Sequence, residues 1–382
     1  MTMFHHDNRD LNTAINEARE YLARDVQTKA QRARNGLQAL NDRVIVDTLS
    51  PISDVRYDLS PGGIAVNGKP ITSQAFGQLC TKAQVPVAFA RKLLNHESQL
   101  VRNLAIENFE TLSATSSDIV MLRTVNGVHH GVVTDAYKRM DMKLVAGSFG
   151  EAIQLGKLIP VQCDLSATRV YVRALMPRIY GAEFGEALCF GVTLRGSDFG
   201  FGKVEVDPFC NRVWCSNKAQ MSLKLGRGFS KTHRGARLTE ETFQLSAETQ
   251  GLQALAMASE LRDSVSALLS DKSIDMYVGA IGRCFAEGQR GGQYEAEKEI
   301  EKLVKAARMT EKVASFVQDA FRSKDRDVVP QVADGRWKLA QAVAYAAQYA
   351  DIADADTRMD LEYLAGEIVE SAPAGAILAA AN

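Results

Sequence analysis

The feature that most limits what this chain can fold into is a change of grammar near residue 238. Before it, apolar residues come in short runs broken by glycine, proline and asparagine turns. After it, they recur at helical spacing nearly to the end. Strands first and helices after is the α+β pattern, because a doubly wound parallel sheet needs the two to alternate along the chain. The sequence therefore predicts an antiparallel β-rich core with inserted helices, followed by a helical C-terminal region. Three parts follow: a helical N-terminal arm over 1–42, the β-rich core over 43–238 and the helical region over 239–382.

The local signals support that division. Leu11, Ile15, Ala18 and Leu22 mark a first helix whose continuation, Arg24 to Arg34, is polar and basic, suiting an exposed arm or a packing surface for a neighbouring subunit. Strand candidates are Val44–Val46, Val55–Leu59, Ile64–Val66, Ile119–Leu122, Arg169–Leu175, Leu188–Leu194, Lys203–Val206 and Arg212–Trp214. Asn67-Gly68 and Asn126-Gly127 are turn signals, the second a strong hairpin signal. Two short helical segments interrupt the strands between Ile71 and Asn95. In the last third, three apolar stripes predict helices: Met257, Leu261, Val265 and Leu268; Val313, Phe316, Val317, Ala320 and Phe321; Leu361, Leu364, Ala365 and Ile368.

Composition narrows the function classes. With 382 residues and 46% hydrophobic content a sizeable core is available, and 45 basic against 46 acidic residues leave a net charge of −1. Any nucleic-acid site must then be a local patch. The six cysteines are scattered and form no CxxC pair, which reads as free buried thiols rather than a disulfide framework. No apolar run reaches membrane-spanning length and the start lacks a signal peptide's apolar stretch, so a cytoplasmic protein with no membrane partner is expected.

Catalytic motifs are weak. Gly196 to Lys203 resembles a phosphate-binding loop, but five residues separate Gly196 from Gly202-Lys203, and Val204 stands where Ser or Thr would ligate Mg²⁺. A glycine-rich bend between strands is the expectation. His129-His130 on a strand would point to opposite faces, and Cys210, Cys215 and His233 lack the tight spacing of a zinc site, so neither metal nor cofactor is expected. Thr72 to Leu94 fits a helix-turn-helix, yet its second helix offers mainly Arg91 and Lys92 to bases, and a helical hairpin packed on the sheet is preferred.

Charge asymmetry is the strongest physical signal. Phe209 to Leu238 holds Arg212, Lys218, Lys224, Arg227, Lys231, Arg234 and Arg237 with no acidic residue, while Asp351 to Glu370 holds seven carboxylates and one arginine. Cations tracking phosphates beside a ring such as Phe229, with His233 nearby, are what single-strand binding uses. The alternative has the same segment docking on the acidic C-terminal helix, through Asp354, Asp356, Asp360 and Glu362, within or between subunits. Both readings stay open here.

Four stretches together resemble the phage/plasmid-like family carrying the domain of unknown function 932. They are Gly131–Asp141 (GVVTDAYKRMD), Phe199-Gly200-Phe201-Gly202 with Asp207–Asn217, Lys231-Thr232-His233-Arg234, and Gly335–Ala342 (GRWKLAQA). They occur in the family's order; Lys218 replaces a usual Gly and Gln341 a usual Asn. The resemblance implies a mobile-element protein. By analogy of size and strand-then-helix order with phage annealing recombinases, it implies single-stranded DNA binding or annealing by a homo-oligomer, without a cofactor. The rivals are a non-catalytic interaction protein that modulates host or mobile-element machinery, and an uncharacterised enzyme.

Overall fold

A computed structural model of the chain describes residues 11–138, 140–181, 186–213, 220–224, 228–233, 247–289, 296–306, 309–325, 328–330, 332–352 and 355–370. Helix α1 (Leu11–Asp42) leads into an N-terminal unit. Its elements are β1 (Val46–Pro51), β2 (Tyr57–Ser60), β3 (Gly63–Val66), β4 (Lys69–Pro70), α2 (Ser73–Lys82), α3 (Val87–Leu94), α4 (Gln99–Ala114), β5 (Ile119–Val125) and β6 (Val128–Thr134). They make two three-stranded antiparallel sheets, β1-β5-β6 and β2-β3-β4. Asn67-Gly68 and Asn126-Gly127 have positive φ at both residues, the geometry that lets a two-residue turn follow strand twist. Thr72 caps α2 by accepting the Ala75 N–H, and α2 lays Ala75, Phe76, Leu79 and Cys80 into a core with Phe109, Val120, Leu122 and Val132. Residues 72–94 are thus a helical hairpin, with α2 packed on the sheet.

Helix α5 (Met142–Leu155) connects to a second, larger sheet. Strands β7 (Ile159–Leu165), β8 (Val170–Leu175), β9 (Leu188–Gly196) and β10 (Val204–Arg212) form an antiparallel meander. Two short strands, β11 (Gln220–Ser222) and β12 (Phe229–Lys231), share the outer edge of β10 in tandem. The first pairs with Phe209–Asn211 and the second with Val204–Val206. The sequence splits β10 into two candidates because Asp207-Pro208 interrupts it. Pro208 is tolerated because its carbonyl accepts from Leu223 on the outer side. In a strand the N and C=O of one residue point the same way, so the missing N–H leaves the ladder to β9 intact.

The helices α6 (Ala247–Leu268), α7 (Asp271–Gln289), α8 (Ala296–Ala306), α9 (Glu311–Arg322), α10 (Arg336–Tyr349) and α11 (Ala355–Glu370) complete the α+β fold. The large sheet is sandwiched. On one face Val172, Val192, Leu194 and Val206 meet Val145 and Phe149 of α5 and Leu261 and Val265 of α6. On the other, Leu175, Cys189 and Phe209 meet Leu22 and Val26 of α1, and Tyr171 meets Met359 and Tyr363 of α11. A third cluster packs α7, α9, α10 and α11 around Trp337 and onto Leu188, Phe190 and Met221. From Leu22 onward, then, the helix expected as an arm packs along β7 of its own chain. Its buried Leu22, Val26, Ala30, Ala33 and Leu40 supply the reason. Cys80, Cys163, Cys189 and Cys210 are free thiols, and among the described residues no helix is long and apolar enough to cross a membrane.

Candidate functional site

The basic segment lies along the β10 edge, and its described residues divide into buried and exposed. Arg212 ends β10 inside the protein. Its Nε donates to Glu186 at 2.7 Å, and Trp337 Nε1 donates to the other carboxylate oxygen at 3.3 Å. Phe229 is 5% exposed and sits in the core with Val204, Val206 and Leu261, so its ring is not offered to a base. His233 is buried against Tyr137, with ring centroids 4.8 Å apart and planes within 5°. In β12 Phe229 is buried while Ser230 and Lys231 are exposed; alternation sets Lys231 on the same face as Phe229, where its stem runs past the ring and its ammonium reaches Glu260 at the surface.

Lys224 and Lys231 keep their charged heads at the surface, 50% and 44% exposed. Each already has a carboxylate. Lys224 Nζ binds Glu367 while its backbone N–H donates to Glu370, both on α11. Lys231 Nζ binds Glu260 of α6 at 2.6 Å. The acidic helix does meet the basic segment, but through Glu367 and Glu370. Asp356 instead accepts from Thr168 and Tyr171, and Glu362 from Arg173. Lys218, Arg227, Arg234, Arg237 and Asp354 lie outside the described residues.

Beside this edge is a polar junction that no local pattern in the sequence announces. Arg123 on β5 is fully buried. It donates to Asp47 of β1 at 2.8 Å, to Asp141 at 2.7 Å and to the backbone carbonyl of Asp198, and it lies over the Tyr137 ring at 5.4 Å. Burial alone would lower its pKa; the hydrogen bonds it donates to the two carboxylates outweigh this and raise it. Asp198 accepts from Met142 N–H at 2.7 Å and from Arg43 at 3.1 Å, with burial raising its pKa. Tyr137 donates to the Ser197 carbonyl at 3.2 Å, and burial raises its pKa as well. The bend 197–203 between β9 and β10 is thereby locked between the two sheets. Phe199 stacks on His130, while His129 turns to the opposite side and binds Val66 and Thr124.

His233 joins this junction to the end of the basic segment. Its Nδ1–H donates to the Lys138 carbonyl at 3.1 Å, and its own carbonyl accepts the Lys138 N–H at 2.9 Å. Its Nε2 is buried with no hydrogen-bond partner among the described residues, and burial lowers its pKa. Residues from three of the four family-like stretches, Tyr137 and Asp141, Phe199, and His233, therefore meet in one place. The fourth contributes Trp337, bound to the partner of Arg212. What found these residues in the sequence was motif order; Arg43, Asp47, Arg123 and Asp198 carried no such signal. Among the described residues no group of three or more His, Cys, Asp or Glu could hold a metal ion. Comparison with protein-family models, curated proteins and solved structures returns no match for this chain.

Proposed function

We propose that this chain is a non-catalytic accessory protein of the phage/plasmid-like type that binds single-stranded DNA along the outer edge of β10. The observation that carries the reading is the pair of half-exposed cations, Lys224 and Lys231, spaced along one sheet edge and each paired with a half-exposed carboxylate. Leu223 sits opposite Pro208, which puts Lys224 one position nearer Val204, the partner of Lys231, so the two lysines are separated by about three residues of strand, roughly 10 Å. An exposed ion pair contributes at most about 1 kcal/mol, so DNA phosphates exchange for Glu260 and Glu367 at little cost. Affinity in this reading comes from phosphates and falls steeply with salt. Family membership belongs to the same proposal, supported by the order of the motifs and by their convergence around Arg123 and Glu186.

A second reading is favoured by the ion pairs themselves. Arg212, Lys224 and Lys231 each bind a carboxylate of their own chain, as expected of a segment that pins α6 and α11 to the sheet of an interaction protein. Fluorescence anisotropy against single-stranded and duplex DNA, titrated with salt, separates the two. The DNA reading expects tighter binding to the single strand and a negative slope of log affinity on log salt. Absence of binding at low salt would leave the docking reading standing.

A further inference from the structure

Helix α1 packs along β7, at the opposite end of the strand order from β10 and its two short partners. Its buried stripe, Leu22, Val26, Ala30, Ala33 and Leu40, is used in that packing and leaves a solvent side rich in cations. Between Glu20 and Asp42 the helix carries four basic residues, Arg24, Lys29, Arg32 and Arg34, and one acidic residue, Asp25. Arg24, Arg32 and Arg34 are exposed, and among the described residues no carboxylate pairs with them; Arg24 Nε reaches the Glu20 carbonyl at 3.4 Å. Their placement round the helix is regular. At ~100° per residue Arg24 lies opposite the buried stripe, while Arg32 and Arg34 lie about 80° to either side of it, about 12–15 Å further along the axis. We infer that the solvent side of α1 binds the backbone of double-stranded DNA, with Arg32 and Arg34 on phosphates of the two strands that wall a groove and Arg24 on the crest between them.

Two features favour a nucleic acid over an anionic lipid surface, the other polyanion that a basic helix meets. A helix that lies on a membrane buries large apolar side chains in it, and among the described residues α1 exposes none between Leu22 and Leu40. The exposed residues between the arginines are instead Gln27, Thr28, Gln31 and Asn35, amides and a hydroxyl of the kind that bond phosphate and sugar oxygens. The two flanks favour a duplex over a single strand. Cations roughly 160° apart on one helix reach two backbones, and a helix about 10–12 Å across with its side chains matches a major groove about 12 Å wide. This surface is separate from the β10 edge, and the inference does not depend on Lys224 or Lys231.

Salt-titrated fluorescence anisotropy on a labelled DNA duplex tests it, using the full chain with Lys224→Ala/Lys231→Ala so that the β10 edge is silent. Three proteins are compared: that background alone, the background with Arg24→Gln/Arg32→Gln/Arg34→Gln, and the background with Arg24→Lys/Arg32→Lys/Arg34→Lys. The background is expected to bind the duplex with a negative slope of log affinity on log salt. The glutamine variant should bind more weakly, with a slope smaller by up to ~0.9 for each lost contact, and the lysine variant should keep the slope. Because the three side chains are exposed, the melting temperature of the glutamine variant should match the background. A background that does not bind duplex at low salt, a glutamine variant that binds as the background does, or a loss shared by the lysine variant overturns the inference. So does binding to phosphatidylserine vesicles, lost in the glutamine variant, in place of binding to duplex. Each of these outcomes leaves the single-strand reading of the β10 edge to its own test.

Discussion

At the scale of single residues, the sequence shows charge and ring but not which way they face. Phe229 stands among cations, so a stacking role is its natural sequence-based reading; its place in the core makes it a packing residue instead. Phe229→Ala is expected to destabilise the protein by about 3–5 kcal/mol, the range for emptying a buried aromatic site. Thermal unfolding reads this directly, and a ring that instead served DNA would lower affinity and leave the melt unchanged. His233 supplies a pH prediction. Tyr137, Arg123, Asp141 and the Lys138 carbonyl surround it, and its folded pKa is depressed below 6.5, chiefly by burial. A depressed pKa means that the stability linked to neutral His233 is full above about pH 6.5 and is lost as pH falls through the folded value. Wild-type melting temperature should therefore drop on acidification more than that of His233→Phe, which keeps the stack on Tyr137 and cannot take up a proton. Parallel pH profiles for the two proteins would refute this. His129 and His130 also have lowered values, so the difference between the profiles, not the wild-type curve, is the test.

At the scale of elements, what was legible depended on how local the cause is. Both Asn-Gly turns and the apolar stripes of α6, α9 and α11 are written in neighbouring residues and form where expected. By contrast, α4, α5 and β7 give no clear local signal. β7 is the outer strand of its sheet, and Ile159–Leu165 is only partly buried along most of its length. Proline hid the continuity of β10, because whether its missing N–H matters depends on a neighbour, β11, far along the chain. Helix α11 shows the same limit. Its carboxylates suggest a solvated face, yet Glu362 is fully buried against Arg173, which also binds Thr193, Gln162 and Gln220. Gln348 donates to Glu362 at 2.6 Å. Removing one member of such a pair strands the other charge, so Glu362→Ala should cost about 3–5 kcal/mol. Replacing both Arg173 and Glu362 by Met should cost less than the single change, and urea unfolding of the two variants decides it. Gly366 on the same helix lies so close to Ser222 that a Cβ would overlap its carbonyl oxygen, which ties α11 to the edge strand β11.

At the scale of the whole molecule, the large sheet is held between α5 and α6 on one side and α1 and α11 on the other, and the basic segment closes its open edge. The charge asymmetry legible in the sequence is thus real in space, but the partners differ: Glu260 of α6 shares the role assigned to the acidic helix alone. This arrangement turns the two readings of the segment into one competition between carboxylates and phosphates for Lys224 and Lys231. The most direct measurement is the affinity of single-stranded DNA, at several salt concentrations, for wild type, Glu260→Gln/Glu367→Gln and Lys224→Ala/Lys231→Ala. The glutamine pair is expected to bind more tightly, because the competing charges are gone. The alanine pair is expected to bind more weakly, with a salt slope smaller by up to ~0.7 for each lost contact. Equal affinities and equal slopes in all three proteins, with altered stability in the variants, would contradict the DNA reading and leave these cations as internal pins.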